Sequence, residues 1–109
     1  MNQQDLIKLA KDLGFDAKFV SSTTWKYSNR ENIRHLIWLT ELRYYIFEKW
    51  KVYIAVAFLP AYNLFEYNLK YVIDQEVTED ESKLSYKSEI EALYAGVSYF
   101  LTKIEDNDK

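Results

Sequence analysis

Between Trp50 and Lys51 the spacing of apolar residues changes from steps of three and four to steps of two, and this switch constrains the fold more than any other feature of the chain. Upstream, Ile33, Leu36, Ile37, Thr40, Tyr44 and Phe47 form one helical stripe, and Leu39, Ile46 and Trp50 form a second beside it. So wide an apolar face predicts a helix covered on more than one side. Downstream, in KVYIAVAFL, Val52, Ile54, Val56 and Phe58 alternate with Tyr53, Ala55, Ala57 and Leu59. Apolar residues on both faces predict an interior strand. PAYN makes a turn, because Pro60 cannot donate to a ladder and Asn63 accepts turn conformations readily. In residues 64–73, Phe65, Tyr67, Leu69, Tyr71 and Ile73 alternate with Glu66, Asn68, Lys70 and Val72, which gives one face to the core and one to water.

Helical patterns flank this unit. Leu6, Leu9, Ala10 and Leu13 share one side of a first helix from about Gln3 to Leu13, Gly14 stops it, and Phe15 is placed to pack back on its last turn. AKFVSS, residues 17–22, alternates like a short edge strand, and SNRE, residues 28–31, is a capping box that opens the long second helix. DQEVTEDESK predicts a charged loop over residues 75–84. In the last helix Tyr86, Ile90, Leu93, Val97, Phe100, Leu101 and Ile104 form the stripe; Ser88 to Glu91 has capping-box spacing, although Ser85 can equally open it a turn earlier. Residues 106–109 are expected to form a disordered tail. Gly96 lies inside this helix, where glycine costs about 1 kcal/mol relative to alanine. With Ala92 one turn before it, Gly96 forms a small-residue notch that predicts close approach by another helix or the sheet. The competing reading places it on the solvent side. The expected fold is α+β: three helices packed around a small antiparallel sheet centred on a β-hairpin at residues 51–73, in the order α-(β)-α-β-β-α, as a single domain over residues 1–109.

Two stretches, YIFEKWKVYIAV and SYKSEIEALYAGVSYFLTKI, give the chain a pattern that resembles small uncharacterised proteins of Bacteroidetes phages and mobile elements. In those proteins a helix ending in a tryptophan-leucine-arginine-glutamate-like segment runs into an alternating strand. Their closing segment has an aromatic ahead of a glutamate, an alanine-leucine pair and a glycine. This chain departs from the first pattern, with Tyr45 and Phe47 where tryptophan and arginine are usual. The resemblance implies an αββα end to the fold and a phage or prophage origin, and it transfers no activity.

The chain has no cysteine, which excludes disulfides and thiolate chemistry and fits a reducing compartment. The start, MNQQDLIKLA, has none of the features of a secretory signal, and VYIAVAFL is far shorter than the roughly 20 residues that cross a bilayer as a helix. A cytoplasmic protein without membrane contact is expected. His35 is the single histidine; Glu31 lies one turn before it, but no third ligand is evident and no metal is expected. Glu41 and Glu48, seven apart, share a helix face as solvated charges rather than an acid-base pair. With two glycines there is neither a Gly-x-Ser-x-Gly turn nor a phosphate-binding loop. Neither an enzyme nor a cofactor is expected.

Aromatic residues are the compositional anomaly: ten Tyr, six Phe and three Trp make 17% of the chain, more rings than a small core can satisfy. Exposed tyrosine and tryptophan favour interface hot spots, so Trp25, Tyr27, Trp38, Tyr45, Trp50, Tyr53 and Tyr62 are the candidate partner-binding residues, against the alternative that they fill an aromatic core. Charge is polarised along the chain. Lys26 to Lys51 carries six cations against three acids, and from Asp74 onward ten acids oppose four cations. Lys26, Arg30, Arg34 and Arg43, interleaved with aromatics, suggest an alternative in which segment 25–51 binds single-stranded nucleic acid, but an overall charge of −3 makes nucleic acid the lesser expectation. The leading expectation is a non-enzymatic protein-binding module, an accessory or inhibitor protein of a phage or mobile element, acting through an aromatic surface on an unidentified protein or on a second copy in a homodimer.

Overall fold

The computed structural model describes residues 2–16, 31–82 and 84–107, apart from the side chains of Gln3 and of residues 31–35. Helix α1 is Gln3–Asp12, with the Asn2 side chain accepting from the Asp5 amide at 2.8 Å as its N-cap. Its end has the capping motif that the sequence predicts. Gly14 takes φ +98°, its amide donates to the Lys11 carbonyl, and the Phe15 amide donates to the Ala10 carbonyl, each at 2.9 Å. Phe15 then folds back into the core.

The second helix, α2, is Glu31–Trp50. Its capping-box residues Ser28 to Arg30 lie outside the described residues, as does the expected strand at 17–22. No glycine ends α2. Lys51 takes φ +59° and its amide donates to the Phe47 carbonyl at 2.9 Å, a left-handed stop that turns the chain straight into β1, Tyr53–Leu59. Strand β2 is Leu64–Ile73, joined to β1 by a turn in which the Tyr62 amide reaches the Leu59 carbonyl and Asn63 has φ +54°.

Two expectations are corrected here. The segment read as a charged loop at 75–84 contains a third strand, β3, Glu76–Glu81, paired antiparallel to β2 through a two-residue turn at Asp74 and Gln75, both with positive φ. An edge strand needs no buried face, because β2 supplies the partners for its backbone, so acidic side chains do not forbid it. The sheet order is therefore β1-β2-β3, with β2 rather than β1 in the interior. The described elements run α-α-β-β-β-α, an α+β fold with three helices and a three-stranded antiparallel sheet.

Helix α3, Glu89–Asn107, extends into the expected tail; residues 108 and 109 lie outside the described set. Ser88 is its cap: the Ser88 hydroxyl accepts from the Glu91 amide at 3.2 Å. Helix α3 lies over β1 and β2 and also touches α1 and α2. Leu6, Leu39, Leu42, Ile46, Ile54, Leu93, Val97 and Leu101 are almost or completely buried around it. Gly96 is where the sheet comes closest. A Cβ there would lie 2.8 Å from Ile54 Cγ2 and 3.1 Å from Tyr67 Cγ, so the missing side chain is what lets α3 settle on the sheet. No helix among the described residues is long and apolar enough to cross a membrane.

Candidate functional site

The core of this chain is aliphatic, and its rings form a shell. Among the described aromatics only Phe15, Tyr67 and Phe100 are buried, whereas Tyr44, Phe47, Tyr53, Phe58, Tyr62 and Tyr99 are exposed. The division is sharpest on α2. Its stripe of Leu39, Leu42 and Ile46 faces the core, and the neighbouring stripe of Leu36, Tyr44 and Phe47 faces outward. Helix α2 thus has two apolar sides, and among the described residues only one of them is covered.

Three contacts shape the outward side. Thr40 donates its hydroxyl to the Leu36 carbonyl one turn back at 2.8 Å, which satisfies a polar atom inside an otherwise apolar row. Leu36, Ile37, Thr40, Glu41 and Tyr44 line a shallow groove of about 470 Å³ along the helix. At its C-terminal end the row crosses to the sheet: the Phe47 ring meets Tyr53 edge-on at 6.1 Å between centroids, and the Arg43 guanidinium lies 5.5 Å from the Tyr53 ring centre. Tyr44, at 60% exposure, stands in the middle of this surface.

The residues singled out from sequence divide into three groups. Trp25, Tyr27, Lys26 and Arg30 lie outside the described residues, and so does the side chain of Arg34. Trp38, Tyr45 and Trp50 are half-buried and turned inward, contrary to the expectation of an exposed surface. Trp38 meets Phe15 edge-on at 5.6 Å, and Trp50 meets Phe100 at 5.5 Å. Tyr45 donates its hydroxyl to the Leu13 carbonyl at 2.7 Å and so holds the end of α1. The Tyr45 hydroxyl thus has work inside the fold, and the two indole rings pack against its core. Tyr53 and Tyr62 are exposed, but Tyr62 stands at the tip of the β1–β2 turn, well along the sequence from the α2 row. Of the five candidates among the described residues, Tyr53 alone joins the outward surface of α2.

Sequence reasoning missed Tyr44 and Phe47 as surface residues. The signal was present, since both lie on one of the two adjacent stripes, but nothing in the spacing says which stripe the core takes.

No protein-family model, curated protein or solved structure matches this chain.

The described cations of the basic segment are engaged within the fold. Arg43 donates to the Ile54 carbonyl at 3.5 Å, and Lys49 donates to the Leu13 carbonyl at 2.8 Å while lying 4.9 Å from the Trp50 ring centre. Lys51 lies 5.9 Å from the Phe47 ring centre. They border rings rather than form a row open to phosphates. Among the described residues no group of three or more histidine, cysteine or acidic side chains is placed to hold a metal. Glu31 and His35 share α2 one turn apart, with side chains outside the described set. Glu48 is exposed, and Glu41 lines the groove.

Proposed function

We propose that the protein is a non-enzymatic binding module whose contact surface is the outward side of α2 with Tyr53 of β1. The observation that carries this reading is the second apolar stripe of α2, where Leu36, Tyr44 and Phe47 remain in water although the same helix buries a full stripe elsewhere. Isolated exposed apolar residues are ordinary, but a contiguous row of aromatic and aliphatic side chains bordered by Arg43 and Lys51 has the composition of an interface core. The partner is a protein, which includes a second copy of the chain. An accessory or inhibitor role in the cytoplasm belongs to the same proposal, and the sequence resemblance implies a phage or mobile-element origin for it.

A photoreactive phenylalanine analogue at position 44, with a control at exposed Lys8 on α1, tests the surface in the native host. A defined covalent protein adduct is expected from position 44 and none from position 8. Equal labelling at both positions, or none at 44, would remove the assignment.

A further inference from the structure

The geometry points to the open side of β3 as a second binding site, at which an extended lysine- or arginine-bearing segment of another protein adds to the sheet as a further strand. This site is separate from α2 and does not depend on the reading given for it.

The two-residue turn fixes which backbone groups are free. Ile73 and Glu76 flank Asp74–Gln75 as the closing pair, and an antiparallel ladder alternates from there, so Val77, Glu79 and Glu81 point their N–H and C=O away from β2. Ser82 checks the parity: the same alternation turns its amide back toward β2, and it donates to the Tyr67 carbonyl at 2.9 Å. The opposite margin of the sheet is different. There α2 flanks β1, and Arg43 occupies the outward carbonyl of Ile54. Along β3 every side chain is at least partly exposed, with Val77 at 72%, and no described element covers its outer edge.

Charge selects the occupant. Four of the six β3 residues, Glu76, Glu79, Asp80 and Glu81, are acidic, and among the described residues the one ion pair they make is that of Glu79 with Lys70 at 3.6 Å. A second copy of β3 would bring like charges face to face, so this edge rejects its own kind and accepts a cationic strand. The two faces refine the match. On one, exposed Val77 pairs with Val72 across the ladder and is followed by Glu79 and Glu81; on the other lie Thr78 and Asp80, with the Tyr71 hydroxyl donating to Asp80 at 3.0 Å. An antiparallel guest therefore presents, in order, a cation opposite Glu81, a donor opposite Asp80, a cation opposite Glu79, a small residue opposite Thr78 and an apolar residue opposite Val77.

The probe is a fluorescein-labelled peptide, Thr-Lys-Arg-Lys-Thr-Val-Thr, titrated into the full chain at low ionic strength. Its control carries N-methyl groups on the two Lys amides and the Val amide, which keeps the charge and removes the donors that face β3. The unmodified peptide is expected to bind saturably, to protect the Val77, Glu79 and Glu81 amides from hydrogen exchange, and to bind at least about tenfold more tightly than the methylated one. Glu79→Gln with Glu81→Gln should weaken it several-fold while the fold is retained by circular dichroism. Equal affinity for the methylated peptide, protection confined to other elements, or no saturable binding would each overturn the proposal.

Discussion

Gly96 shows how much one absent side chain can decide. Its neighbours are Ile54 on β1 and Tyr67 on β2, and neither side chain lies at a loose end where it could swing clear. Gly96→Ala gains about 1 kcal/mol of helix propensity but overpacks the interface, and a net loss of about 1–2 kcal/mol in urea unfolding is expected. In the double variant with Ile54→Ala the two losses should fall short of their sum, because the smaller residue makes room for the added methyl. Strict additivity would mean that the contact is not the cause. The notch was legible in the spacing of Ala92 and Gly96, whereas the exposure of single rings was not. Tyr44 and Tyr45 are adjacent in sequence, yet one stands in water and the other grips the end of α1. What separates them is which of two neighbouring apolar stripes the rest of the chain covers, a tertiary fact that helical period does not contain.

At the level of elements, alternation located β2 at Leu64–Ile73, the range that the backbone adopts, and it marked Tyr67 and Leu69 as core residues, but it also assigned Ile73 to the core, and Ile73 at the end of the strand is exposed. It failed on β3, where acids depress strand propensity and the turn lacks the glycine that usually announces a two-residue hairpin. Asp74 and Gln75 hold φ +51° and +69°. Aspartate tolerates this region; glutamine gains nothing from it, and the left-handed conformation costs an ordinary residue roughly 1–2 kcal/mol. Gln75→Gly relieves that strain and loses part of the gain to the greater freedom of the unfolded chain, so stabilisation of about 0.5–1 kcal/mol is expected, read as a higher thermal midpoint. A lower midpoint would show that the Gln75 side chain contributes a contact of its own. The β1 strand also misled: its apolar faces on both sides imitate an interior strand, but the second face is explained by α2, through Phe47 on Tyr53.

For the molecule as a whole, the ring shell has a consequence in alkaline solution. Tyr67 stacks on Tyr86 at 6.2 Å and on Tyr99 at 6.1 Å, and burial first, then these neighbours, raise its pKa above the ordinary 10.0. Tyr71 is raised chiefly by its hydrogen bond to Asp80, and Tyr94 by burial and then by Asp5. Above pH 10.0 the unfolded chain releases these phenolic protons while the folded chain still holds them. Stability is therefore complete below about pH 10 and declines as pH rises through the folded-state values. Unfolding midpoints measured across this window should fall, and the decline should be shallower in Tyr67→Phe; an unchanged slope would exclude Tyr67 as a contributor.

The hold of Arg43 on Ile54 has one more effect, on stoichiometry. A ribbon of strands lengthens without limit only if each unit offers two open margins that accept a further copy. Here α2 flanks one margin, where Arg43 takes the outward carbonyl of Ile54, and the other margin carries four acids that repel a second copy. On the proposal made for β3, a guest strand added there should not be followed by further copies of the chain, and light scattering of the complex should show no growth into fibres.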